Sequence, residues 1–140
     1  MSIPITFTGV ALVAIGGAFG SVARYAISGT VTQWLQTIAP ATRFPWHTWS
    51  INLLGCLIMG VMAGFALRHD WLNQSMRLLL MTGLMGGFTT FSAFGLEALD
   101  LVLQKHWSTA LAYTLSSVVL GVLAVAIGLF LSSGSLSLQR

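Results

Sequence analysis

Four long stretches of this chain are apolar and nearly free of charge, and that restricts the fold more than anything else in it. They lie at about 7–35, 49–67, 76–103 and 109–131. A helix needs roughly 20 residues to cross the hydrocarbon of a bilayer, and each stretch is about that long or longer. Backbone polar groups have no water to bond in lipid, so a run of this kind must close its own hydrogen bonds as a helix. The spacing therefore predicts an all-α membrane protein, a single four-span domain over 1–140.

Charge and cysteine content narrow the function. Only 6% of the 140 residues are charged, too few for most soluble domains. Six basic residues face three acidic ones with no basic run, which leaves no footprint for nucleic acid. Cys56 is the only cysteine and sits inside an apolar segment, which excludes a disulfide framework and CxxC chemistry. No Lys or Arg precedes Arg24, so the N-terminus reads as the start of the first span rather than a secretory signal. Tryptophans 34, 46, 49, 71 and 107 fall near span ends, as interfacial anchors do. His47, His69 and His106 also sit at span ends, without metal-ligand spacing; His69-Asp70 is a poor site. No G-x-S-x-G motif is present, and nothing argues for an enzyme.

Basic residues divide evenly across the membrane. Arg68, Arg77 and Arg140 belong to one side, and Arg43, Lys105 and Arg24 to the other. Three against three gives the positive-inside rule nothing to act on. Either other signals fix the orientation, or copies insert both ways and pair antiparallel.

The third span holds the most informative segment, Gly83-Leu-Met-Gly86-Gly87-Phe-Thr-Thr-Phe-Ser-Ala-Phe94. Glycines and hydroxyls in mid-span predict a broken helix near Gly86-Gly87, tolerated in lipid only inside protein or beside a cavity holding water or ions. Ion handling is the first reading. Gly16-xxx-Gly20, Gly60-xxx-Gly64 and Gly83-xxx-Gly87 have the spacing that lets helices pack closely. Ordinary packing accounts for the first two pairs, less readily for the third.

Several polar and aromatic residues admit two readings each. Asn52 in the second span either ties helices together or contacts an anion or water through its NH₂. Phe91 and Phe94, three apart, share a helical face beyond the break; they are core or lipid-facing, or present positive ring edges to a small anion. Tyr113, Ser117 and Gly121 form one row on the fourth span, a hydroxyl stripe or a packing seam. Glu97 is expected to pair with a cation such as Arg24 or Lys105, or to reach the interface, with proton coupling less favoured.

Three motifs carry a resemblance. Gly-Gly-Ala-Phe-Gly-Ser-Val-Ala-Arg24-Tyr25, Asn52-Leu-Leu-Gly55 and Thr82-Gly-Leu-Met-Gly-Gly-Phe-Thr-Thr-Phe-Ser-Ala-Phe94 are similar to those of the CrcB/Fluc fluoride channels. The likeness covers almost the whole chain. It implies an antiparallel, dual-topology homodimer with two pores in the cell (inner) membrane, exporting fluoride passively and selectively. It implies pore residues Asn52, Phe91, Phe94, Thr89, Ser92, Tyr113 and Ser117. It also implies a structural Na⁺ at the dimer centre, held by backbone carbonyls of Gly87 and Thr90 from each copy. Ala93 departs from the hydroxyl residue often found between the two phenylalanines, and Gly121 from a serine that some members carry. The rival readings are a small dual-topology multidrug-type exporter and a non-transporting assembly subunit. The exporter class uses a carboxylate in its first span, where this chain has none. An assembly subunit explains packing glycines but not a mid-span break flanked by hydroxyls.

Overall fold

The computed structural model describes residues 5–39, 41–68 and 72–134. Pro40, His69, Asp70, Trp71 and Arg140, to which the sequence assigned positions, lie outside them. Four helical spans are long and apolar enough to cross a bilayer, and the protein is a multi-pass membrane protein. They are α1 (Phe7–Ile38), α2 (Trp46–Arg68), a two-part third span over Gln74–Leu103, and α5 (Trp107–Ser133). The third span divides into α3 (residues 74–88) and α4 (Phe91–Leu103).

Local chemistry sets the ends. Thr6 caps α1 by accepting the Gly9 N–H at 3.0 Å, and Asn73 caps α3 through the Met76 N–H at 3.1 Å. At the end of α4, Lys105 takes the left-handed conformation (φ 63°). There the His106 N–H bonds the Leu101 carbonyl and the Lys105 N–H bonds that of Val102, closing the helix in a Schellman turn. Gly134 (φ 69°) ends α5 with its N–H on the Phe130 carbonyl. Arginines serve three further carbonyls: Arg68 donates to Ser133, and Arg77 donates to Leu72 (3.0 Å) and Ala66 (3.1 Å). A cation at a helix C-terminus also complements its dipole.

Close backbone approach builds two helix pairs. In the α2–α5 pair, a Cβ on Gly60 would lie 2.1 Å from the Val125 carbonyl oxygen, and one on Gly128 would lie 2.3 Å from that of Leu57. In the α1–α3 pair, Gly16 meets the Leu79 carbonyl and Gly20 that of Leu84, each at 2.1 Å by the same measure. Leu79 and Leu84 are five apart and their glycine partners four apart. The mismatch is absorbed because Leu78–Met85 is wound as a π-helix, whose turn bonds i to i+5. Gly83 and Gly87 face Val13, Gly16 and Gly17 across the same seam, so they too are packing glycines, whereas Gly86 has nothing within 4 Å.

α4 stands apart from this arrangement, resting mainly on α5. Leu101, Ala110 and Tyr113 bury together there with Phe44, Trp49 and Phe94 around them. α1, at 32 residues, is about 48 Å long, more than the roughly 30 Å of hydrocarbon it must cross. Its far end carries Thr30, Thr32, Gln33, Gln36 and Thr37, which suits an end standing in water.

Candidate functional site

The break in the third span falls at Thr89 and Thr90, two residues beyond the expected Gly86-Gly87. Both threonines are extended (ψ 159° and 113°), while the glycines are helical. Two extended residues swing Thr90 and Phe91 out of the helical ladder. The carbonyls of Gly86 and Gly87, four residues earlier, thereby lose their donors. Glycine was the obvious suspect because it permits unusual dihedrals, but extended backbone suits β-branched threonine as well.

Asn52 of α2 holds the break. Its Oδ1 accepts the Thr90 N–H at 2.8 Å, and its Nδ2 donates to the Thr90 carbonyl at 3.0 Å. A side-chain amide thus replaces the lost helical acceptor of the Thr90 N–H and adds a second bond to the Thr90 carbonyl, which as the N-cap of α4 already opens that helix's own ladder. One N–H of Asn52 remains for another acceptor. Thr90 in turn starts α4, its Oγ1 accepting the Ala93 N–H at 3.2 Å. The interhelical reading of Asn52 is what the geometry contains.

The other residues named from sequence surround this point. Thr89 donates its hydroxyl to the Met85 carbonyl at 2.9 Å and turns its methyl towards Gly55. Ser92 is exposed, with Oγ 3.3 Å from Thr90 Oγ1. Phe91, Phe94 and Tyr113 form a row with ring centroids 5.5 and 5.1 Å apart, tilted by 39° and 52°. Phe91 at its outer end is 83% exposed, and Tyr113 at its inner end is fully buried. Ser117, one turn along α5 from Tyr113, has a buried Oγ with no hydrogen-bond partner among the described residues. Gly121 follows in that row, with Cys56 Sγ standing over it.

Glu97 corrects an expectation. Its carboxylate bonds neither Arg24 nor Lys105. Oε2 accepts the Tyr113 hydroxyl at 2.7 Å; Oε1 accepts the Thr48 hydroxyl at 2.7 Å and lies 3.2 Å from His47 Nε2. The reason is position: Glu97 is three residues past Phe94, on the face that α4 turns towards α5 and the first turn of α2. His47 and Thr48 are the members that sequence reasoning missed. No spacing signal links residues 47 and 97; only the antiparallel packing of α2 and α4 brings them together. A cavity of about 370 Å³ opens between α1, α2 and α4, lined by Arg24, Ser28, His47, Thr48, Thr90 and Glu97 among others. In it, Arg24 Nε is buried with no partner among the described residues. No group of three or more His, Cys, Asp or Glu among the described residues could hold a metal ion.

Chemically, the arrangement offers a few N–H and O–H donors and aromatic edges beside an interrupted helix.

Comparison with known proteins agrees in extent. The family model described as "CrcB-like protein, Camphor Resistance (CrcB)" matches residues 11–129. A fluoride-specific ion channel FluC from Methylobacillus flagellatus is 46% identical over 119 residues, covering 85% of this chain and 90% of that protein. FluC of Magnetococcus marinus is 45% identical over 120 residues (86% and 94%), and that of Phocaeicola vulgatus 40% over 121 (86% and 95%). Matched along most of its length by the family model and by full-length relatives, the chain belongs to the CrcB family.

Proposed function

We propose that this protein is a fluoride-selective channel that lets fluoride leave the cytoplasm passively through the cell's inner membrane and so protects against fluoride toxicity. Relatives of nearly the same length carry the name of a fluoride-specific ion channel. The observation that carries the reading is the Asn52–Thr90 latch, which holds a helix open in mid-span beside the row of Phe91, Phe94 and Tyr113.

The path runs past Asn52, Thr89, Phe91, Ser92, Phe94, Tyr113 and Ser117. Fluoride must exchange its water shell for donors, and few are available. The hydroxyl protons of Thr89 and Tyr113 are already given to Met85 and Glu97. The remaining side-chain donors are the second Nδ2–H of Asn52 and the hydroxyls of Ser92 and Ser117, and the first turn of α4 adds the Phe91 and Ser92 N–H groups. The rings supply positive edges that attract an anion without attracting cations. Purified protein in liposomes loaded with fluoride, read by a fluoride electrode, tests the function; vesicles that retain fluoride as well as empty ones would end it.

Two copies in opposite orientations complete the assembly. The balanced basic residues support dual topology, and α4 supplies a face for the second copy: Leu96 (68%), Leu99 (53%) and Leu103 (71%) are exposed, with Gly86 and Gly95 open. Lysines added to the C-terminal tail then abolish flux alone, and co-expression with an oppositely biased copy restores it. A single orientation by tail-cysteine labelling in a Cys56→Ser background would refute this.

A structural Na⁺ belongs to the same assembly. The carbonyl of Gly87 has lost its helical donor and retains capacity for a hard cation, whereas that of Thr90 accepts from Asn52 and opens the ladder of α4, so it joins the ion as a shared, weaker ligand. Where two breaks cross, the ion supplies positive charge that satisfies carbonyls of both copies. The residues fit this role: in lipid, unpaired carbonyls each cost several kcal/mol. Dimer stability unchanged after demonstrated Na⁺ removal would overturn it.

A further inference from the structure

We infer that His47 sets the charge at the mouth of the anion path, so that conduction rises as His47 takes up a proton. The inference rests on the channel reading above and concerns a residue that reading does not use. His47 lies in the first turn of α2 and lines three adjoining cavities, of about 440, 370 and 600 Å³. These separate α1 from α2 and α4 on the side where α1 runs polar, and the middle one reaches Thr90 at the break. The middle cavity thus offers an anion a route between water and the break that passes His47.

The geometry couples His47 to one carboxylate. Its Nε2 is 3.2 Å from Glu97 Oε1, the oxygen that also accepts the Thr48 hydroxyl. The second oxygen is fixed by Tyr113 from α5. Three bonds from two helices leave Glu97 no freedom to turn away, so His47 always meets the same atom. The neutral ring, as the Nε2–H tautomer, donates to Oε1 and leaves the pair with one negative charge. The protonated ring makes the same contact and leaves the pair neutral. The contact is unchanged; the charge is not.

Other ionisable groups around His47 are few. Arg24 and Tyr25 face the cavities from α1, Asp100 from α4, and Arg43 from the loop before α2. Arg43 is turned towards His106, 3.3 Å from its Nδ1. Among these side chains, imidazole is the one whose ordinary titration falls between pH 5 and 8. Cancelling a unit charge that acts over roughly 7 Å changes the local anion concentration about threefold even at the dielectric of water, and more between protein walls.

The test is electrical, because HF crosses membranes without carrying current. Fluoride current through purified protein in planar bilayers is recorded from pH 8 to pH 5, with the same pH in both chambers. Wild type gains at least threefold towards pH 5. His47→Gln keeps an N–H donor for Glu97 but cannot titrate, and its current is flat. His47→Lys keeps a donor and a fixed charge, and its current is flat and larger than that of His47→Gln. A flat wild-type profile overturns the inference while leaving the channel reading intact, as does a variant that retains the wild-type profile. Absence of fluoride current at every pH overturns both.

Discussion

Replacing Asn52 with leucine removes the latch while keeping the same branched skeleton of heavy atoms. The Thr90 N–H is then stranded against an apolar side chain, while the Thr90 carbonyl loses its bond to Asn52 but keeps its place at the start of α4, bonds of 2.8 and 3.0 Å being lost. A donor stranded away from water costs about 2 kcal/mol and the second bond to a carbonyl already paired about 1 kcal/mol, about 3 kcal/mol together. At about 1.4 kcal/mol per factor of ten, the open population at Thr90 rises about a hundredfold. Hydrogen exchange of the segment containing the Thr90 amide, measured in lipid nanodiscs, reads this directly. Asn52→Asp separates the latch from the charge. One carboxylate oxygen still accepts the Thr90 N–H, so the amide stays protected, while fluoride flux falls because a negative group stands in the anion path. If Thr90 in Asn52→Leu exchanges within threefold of wild type, Asn52 is not what holds the break.

Phe91→Ile or Phe94→Ile keeps size and apolarity close to the original, so the dimer still assembles, yet flux falls at least tenfold in the liposome assay; normal flux would return both rings to a packing role. Gly60→Ala drives a methyl to 2.1 Å from the Val125 carbonyl and costs about 3 kcal/mol, whereas Gly29→Ala, with nothing within 4 Å, gains up to about 1 kcal/mol from helix propensity. Thermal unfolding in detergent ranks the two, and equal midpoints would discount the glycine seams. Gly87→Val abolishes Na⁺-dependent dimer stability while Thr90→Ser preserves it, because the proposed ligands are backbone atoms and a Cβ at Gly87 would lie 2.4 Å from the Gly17 carbonyl. Loss of that dependence in Thr90→Ser alone would assign the ion to the side chain instead.

The number and place of the spans were legible because a bilayer imposes one length and one polarity on whatever crosses it. The glycine seams were legible as well, since i, i+4 spacing has one geometric meaning on a helix. The break was misplaced by two residues. Its cause is the Asn52 amide supplied from another helix, 38 positions away, and not any local property of Gly86 or Gly87. Glu97 failed for a related reason: charge matching favours Arg24 or Lys105, whereas packing delivers two hydroxyls and a histidine. Local patterns report on segments. Which polar atoms meet across helices is decided by crossing geometry, which sequence spacing does not encode.

The most direct test of the central claim is the reversal potential of purified protein in a planar bilayer with fluoride salt in one chamber and chloride salt in the other. A fluoride-selective path predicts a voltage displaced far towards the fluoride equilibrium potential, with no measurable current carried by chloride. A reversal potential near zero would mean that chloride passes as readily, and that the Asn52, Phe91 and Phe94 arrangement does not select fluoride.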